Sequence, residues 1–218
     1  MAIILYLDTS TRNCSVALCQ DESLLAIKEE FNTQSHAKLL HPFIRQVMHD
    51  ARKEMGDLDA IVVAGGPGSY TGLRIGMSCA KGICYALDLP FIVVDTLEAL
   101  ANEMIEMNPD EDGIYIASLD SRKGEIYYCI VNSQGIILEA SRPAVVSEID
   151  WTKYKGRSIY IAGNTKEKLE NFKLNLNIKD IIVQYSAKNY IKKGFNKFTL
   201  KELDDVVNME PNYLKPFR

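Results

Sequence analysis

The chain has no uninterrupted apolar stretch approaching the roughly 20 residues that a membrane-spanning helix takes. Its opening, "MAIILYLDTSTR", holds a short apolar run with no basic leader, so neither a signal peptide nor a membrane anchor is expected. The five cysteines (Cys14, Cys19, Cys79, Cys84, Cys129) form no CxxC pair, and their number is odd. That argues against a disulfide framework and for small buried thiols in a reducing, cytoplasmic compartment. Histidine is scarce: His36, His41 and His49 stand five and eight residues apart. Residues five apart on a regular helix point about 140° away from each other, and the wider pair lies two turns apart. Neither spacing fits an HExxH-type metal helix, so no metal site is expected and the three read as surface or interface histidines.

A strong net charge is also lacking, at −4. The balance conceals an asymmetry: residues 1–150 hold 11 Lys/Arg against 22 Asp/Glu, whereas residues 151–201 hold 12 against 3. A basic stretch beside an acidic one is either a nucleic-acid footprint or a solvated lysine-rich surface. The lysines are spaced out and few aromatics are placed to stack bases, which favours the second.

What is present has α/β organisation. "IILYLD" (Ile3–Asp8) is a nearly continuous apolar run, as in a strand covered on both faces. "NCSVALC" and "LLAIKEEF" complete a three-stranded meander. Leu40, Phe43, Ile44, Val47, Met48 and Ala51 recur at helical spacing, with Ser35 as a cap and Pro42 inside the pattern, so a start nearer Leu40 or a kink is expected. A strand (59–64), a glycine loop, a helix (71–87), a strand (91–95) and a helix (97–107) follow. From Ile116, "IASLDSRKGEIYYCIVNSQGIIL" lies over "ILYLDTSTRNCSVALCQDESLLA" from Ile4 without a gap, placing Asp120 on Asp8. A weak helix (147–154), a strand (158–163), a helix (165–172), a strand (180–183) and a helix (187–193) complete a second βββαβαβα unit. The repeat points to a duplicated, two-lobed actin-like ATPase and sugar-kinase fold, with lobes 1–107 and 108–218 and a C-terminal tail packed back on the first lobe.

"AGGPGSYTGLRIG" (Ala64–Gly76) fails both GxxxxGK[ST] and GxGxxG. It is either an anion or nucleotide loop, using Asp8, Gly66, Gly68, Ser69 and Thr71 beside a helix N-terminus, or a tight capped turn. Asp8 and Asp120 are either phosphate or metal ligands or turn caps; Arg122 and Lys123 either reach a phosphate or a partner, or lie in a solvated turn. In the helix that follows the loop, Gly72, Gly76, Ala80 and Cys84 recur every four residues. This ridge of small side chains admits a close neighbour, either the Leu40–Ala51 helix of the same chain or a helix of another subunit.

"GGPGSYTGLRIGMSCAKGICYALDLPFIVVDTLEALA" (Gly65–Ala101) closely resembles the bacterial TsaB family, also called YeaZ. "LDTSTRNCSVAL", "SHAKLLHPFI", "LDSRKGEIYYCIV" and "PNYLK" are similar to it as well. The resemblance implies a cytoplasmic, non-catalytic scaffold in the synthesis of tRNA N6-threonylcarbamoyladenosine at A37. It implies pairing with a catalytic paralogue of the same fold, a small P-loop ATPase subunit as partner, tRNA in the assembled complex, and a homodimer when the paralogue is absent. It places the pairing surface on first-lobe helices, hence on Leu40, Phe43, Val47, Gly72, Gly76 and Ala80, and it implies no cofactor held by this chain. Two other classes compete: a stand-alone actin-fold ATP-dependent kinase, and a glycoprotease-type metalloprotease. A third, a stand-alone RNA-binding module, rests on residues 151–201 alone.

Overall fold

The computed structural model describes residues 1–31, 35–122, 124–170 and 177–214, and contacts divide the chain into two units. The first is built on β1 (Ile3–Asp8), β2 (Cys14–Gln20), β3 (Ser23–Glu30), α1 (His36–Asp50), β4 (Ala60–Ala64), α2 (Tyr70–Leu87) and β5 (Phe91–Val94). The sheet order is β3-β2-β1-β4-β5, antiparallel through the meander and parallel from β1 to β4 to β5. Parallel neighbours need a crossover, which α1 and α2 supply. Leu5, Leu7, Val16, Ile61 and Val63 pack with Leu40, Val47, Met77 and Ala80 in one core on that face. The other face is covered by α5 (Ile191–Thr199): a Cβ on its Gly194 would stand 2.8 Å from both Tyr6 and Val62, so only glycine lets the helix lie this close. Covered on both faces, β1 and β4 are buried throughout.

α5 arrives from far along the chain. Residues Tyr185–Tyr213 group with Met1–Thr96, whereas α3 (Thr96–Met107) falls almost wholly with the second unit. The division therefore runs at Thr96 and again at Tyr185, rather than after Met107 where the repeat alone would place it. The returning segment also closes the open edge of β5. Lys197 Nζ donates to the Val93 carbonyl (2.8 Å) and pairs with Asp204 (2.9 Å). Asp204 in turn accepts from Val93 N (2.7 Å), and its own N–H donates to the Phe91 carbonyl (2.9 Å). An edge whose hydrogen-bonding groups are satisfied this way offers no template for further strands.

The second unit holds β6 (Ile114–Asp120), β7 (Glu125–Asn132), β8 (Ile137–Val145), β9 (Ser158–Gly163), α4 (Lys166–Glu170) and β10 (Asn177–Asp180). Its order, β10-β9-β6-β7-β8, repeats that of the first sheet strand for strand. Asp8 and Asp120 both end the central strand, opposite the start of the next. Local differences from the sequence reading have local causes. α1 starts at His36 and runs through Pro42, which is exposed. The stretch 147–154 forms two short 3-10 turns instead of a helix, because Trp151 and Tyr154 turn into the core, with Trp151 Nε1 donating to the Val146 carbonyl (3.2 Å). The last paired strand is 177–180 rather than 180–183, since Asn177–Asp180 take register beside Ser158–Ile161. The expected helix 187–193 is a 3-10 turn at Ala187–Tyr190, capped by Ser186, that leads into α5. Residues 171 and 172 of the expected 165–172 helix lie outside the described residues.

Glu139 on β8 anchors this unit. It accepts hydrogen bonds from Tyr128 Oη (2.7 Å), Tyr154 Oη (3.0 Å) and Arg142 Nη2 (2.5 Å). Burial alone would raise its pKa, but these three bonds outweigh burial and hold it below the usual carboxylate range. A depressed carboxylate stabilises the fold at neutral pH and loses that contribution as pH falls through its folded pKa. Glu139→Gln is therefore expected to cost on the order of 2 kcal/mol at pH 7. The deficit should shrink toward pH 3, as read by denaturant unfolding across that range.

Candidate functional site

The glycine loop is filled by the chain itself. After β1, Asp8 Oδ1 accepts from Ser10 N (2.8 Å), forming an Asx turn. The Ser10 carbonyl then accepts from Ser69 N (2.6 Å). A Cβ on Gly68 would collide with that carbonyl, one on Gly72 with the Thr9 carbonyl, and one on Gly65 with Val93. Gly66, at φ +103°, faces the Asn212 carbonyl, which a Cβ would approach to 2.5 Å. Asn212 N donates to Gly65 O (2.7 Å) and Thr96 N to Gly66 O (2.8 Å). Each glycine thus makes room for another segment of this chain, and each loop carbonyl named here has a partner.

This packing bears on the residues that the sequence offered as an anion or nucleotide loop. Ser69 caps α2 by accepting from Gly72 N (3.2 Å), and Thr71 is exposed. Asp8 is fully buried. Burial pushes its pKa up, against the hydrogen bonds from Ser10 and the proximity of His36. A sealed acid of this kind is unsuited to holding a solvent-borne phosphate or metal; Asp8, Gly66 and Gly68 come together as a packed turn, while Ser69 and Thr71 are exposed. Asp120, its counterpart, is exposed and pairs with Lys168, whose Nζ also donates to the Arg122 carbonyl (2.8 Å) and the Glu125 carbonyl (2.9 Å). Lys123 lies outside the described residues.

The small-residue ridge likewise points inward. Gly76 faces Thr9 Oγ1 and Val63, and Thr9 Oγ1 donates to the Gly72 carbonyl (2.7 Å). Ala80, Leu40 and Val47 have no exposed surface, and Phe43 is half-buried against the same core. At Gly72 and Gly76 the neighbour that the ridge admits is the turn after β1. Of the histidines, His36 is buried with Nε2 3.2 Å from the Asn13 carbonyl, which corrects its reading as a surface residue. His41 lies near Cys79 and His49 beside Asp50.

A different face of the helix pair remains outward. On α2, Arg74, Ser78, Gly82, Tyr85 and Ala86 are exposed, with Ile75 and Ile83 half-buried beside them. Tyr85 is 81% exposed. Among the described residues a Cβ on Gly82 would meet nothing within 4 Å, so none of them requires glycine there, although it costs the helix about 1 kcal/mol relative to alanine. Ser78, Gly82 and Ala86 repeat every four residues, the same spacing as the buried ridge but turned to solvent. That second series was the available signal; spacing alone does not tell which ridge faces out. At the start of α2, Arg74 stacks over Tyr70 (4.0 Å) and donates through Nε to Tyr213 Oη (3.0 Å), so the tail is tied to the same helix.

The sequence model of the family described as TsaD, tRNA N6-adenosine threonylcarbamoyltransferase, matches residues 27–208. TsaB of Bacillus subtilis, a tRNA threonylcarbamoyladenosine biosynthesis protein, is 32% identical over 74% of this chain and 70% of its own length. The chain belongs to the TsaB family. TsaB of Escherichia coli is 34% identical over 57% of this chain, and the match spans about half (53%) of that protein. The solved YeaZ of Pseudomonas aeruginosa superposes with a TM-score of 0.87 at 25% identity, covering 98% of this chain and all of that one. A nucleotide-bound dehydratase activator from Clostridium difficile reaches a TM-score of 0.54 at 10% identity, covering 93% of this chain and 98% of that one. That likeness places the fold in the actin-like and sugar-kinase class.

Because Gly76 sits against Thr9 and Val63, Gly76→Leu is expected to destabilise the protein by about 1–3 kcal/mol through overpacking. Urea unfolding measures this, and an unchanged midpoint would show that the ridge is not packed as described.

Proposed function

We propose that this chain is a scaffold subunit in the formation of N6-threonylcarbamoyladenosine at A37 of tRNA, with no catalytic activity of its own. It works in the cytoplasm, paired through its first lobe with a catalytic paralogue of the same fold and joined by a small P-loop ATPase subunit. Relatives that carry the name of this pathway support the process. The observation that carries the non-catalytic role is the full burial of Asp8 and the packing of Gly65, Gly66, Gly68 and Gly72 against other atoms of this chain. The three histidines support it too, since each meets a different partner.

Pairing is assigned to the outward face of α1 and α2: Phe43 with Ile75, Ser78, Gly82, Ile83 and Tyr85. Small residues on an exposed helix face let a second helix approach closely, and an exposed tyrosine beside them is a common energetic anchor at interfaces. The same surface would form a homodimer when the paralogue is absent. The lysines of residues 151–201 contribute to holding tRNA in the assembled complex, through phosphate contacts that weaken with salt.

The test is reconstitution with the organism's paralogue and ATPase subunit, tRNA, ATP and threonylcarbamoyl-adenylate. Modified base should form only when this chain is present, and the chain alone should turn over nothing. Modification without it, or turnover by it alone, would defeat the proposal. In the same system, Gly82→Arg is expected to leave the monomer folded and weaken pairing at least tenfold by analytical ultracentrifugation. Undiminished pairing would move the interface elsewhere.

A further inference from the structure

The outward face of α1 and α2 carries a charge pattern of its own. α1 holds Lys38, His41, Arg45 and His49 at steps of three and four residues, a spacing that lines them along one side of a helix, and all four are exposed. His41 Nδ1 lies 3.9 Å from Cys79 Sγ, so this row borders α2 beside Ser78 and Gly82. α2 adds Arg74 and Lys81 and has no acid along its length. Asp50, at the end of α1, is the one acid on either helix, and Lys28 (3.6 Å) and Gln46 (2.8 Å) already engage it. Residues 1–150 hold 11 Lys/Arg against 22 Asp/Glu. The helix pair takes four of those cations and one of those acids, so it is a cationic island in an acidic half of the chain. Beside α2 the returning segment supplies acids of its own, Glu210 near Arg74 and Asp205 near Lys81. Among the described residues no acid pairs with Lys38 or Arg45.

We propose that this face is matched to a partner whose docking helix presents acidic side chains, and that its charge selects such a partner over a second copy of this chain. The inference rests on the pairing proposed above and adds what decides between the two pairings. A two-fold dimer is isologous, so the same patch meets itself. Two copies joined through α1 and α2 therefore set Lys38, Arg45, Arg74 and Lys81 against the same four cations, whatever the register in which the helices cross, with Asp50 the one acid on the helices to offset them. Like charges across an interface cost affinity, whereas a complementary partner gains affinity and a faster encounter. Ser78 and Gly82 admit either partner closely; the cations tell them apart, by acting against the wrong one as well as for the right one. The half-buried Ile75 and Ile83 in the same face suit a protein helix better than a phosphate backbone.

The test measures self-association of the full chain and its binding to the paralogue by analytical ultracentrifugation, for the unaltered chain and for Arg45→Glu. Salt screens exposed charges, so between about 50 and 500 mM the self-association of the unaltered chain is expected to tighten and its binding to the paralogue to weaken, each about threefold or more. Arg45→Glu should tighten self-association and weaken binding to the paralogue at low salt. Lys38→Glu repeats the measurement on the same row if that variant does not fold. Pairings that ignore salt and charge reversal, or that both move the same way, would overturn the proposal and leave pairing through this lobe standing. A paralogue that fails to bind at any salt would remove the pairing itself and this inference with it. Weaker tRNA binding by Arg45→Glu with unchanged binding to the paralogue would overturn it in favour of a phosphate backbone on the row.

Discussion

The close approach of the turn after β1 to the first turns of α2 is the constraint on which the first unit depends. Thr9 and Ser10 present their carbonyls to Gly72 and to Gly68 and Ser69, and the Thr9 side chain reaches the Gly72 carbonyl. A side chain at Gly68, Gly72 or Gly76 would hold α2 away from the sheet. With α2 seated, the loop is free to take contacts from β5, from Thr96 and from the tail at Asn212. The same glycines that make the loop resemble a phosphate cradle therefore serve to bring backbone against backbone. A tight strand-to-helix turn uses glycine whether the close neighbour is a ligand or the protein itself.

The duplicated topology shows how one ancestral plan can be put to unequal use. Both sheets have the same strand order, and both central strands end in aspartate. In the first unit the aspartate is buried under the returning segment. In the second it is exposed and paired with Lys168, which also gathers two carbonyls of the following turn. The same position of the plan is therefore buried in one unit and turned to solvent in the other.

The exchange of helices between the halves has a mechanical consequence. α5 covers the face of the first sheet that α1 and α2 do not, and Lys197 and Asp204 close the β5 edge. The first unit is thus completed by residues far downstream of its sheet, and its core is not whole until Tyr185–Tyr213 have returned. That contrasts with the meander, whose hairpins are local and whose partners lie a few residues apart.

Much of this was legible in the sequence. The continuous apolar run of Ile3–Asp8 announced a strand covered on both faces, the match of residues 116–138 to 4–26 announced two like sheets, and the ends of α2 lay within a residue of where capping and spacing put them. Each of these follows from local periodicity, which a strand or helix expresses residue by residue. Which of two small-residue ridges on α2 faces the core is a different kind of fact, because both repeat every four residues and neither carries a mark of direction. Likewise nothing near Asp8 in sequence says that Tyr190 will seal it, and nothing in residues 185–213 says that they belong with residues 1–96. The sequence by itself determined the elements, their order and the duplicated plan, since these rest on near neighbours. Only the tertiary structure decided which glycines are filled and which are open, because that depends on segments far apart in sequence, such as Gly72 with Thr9 and Gly66 with Asn212.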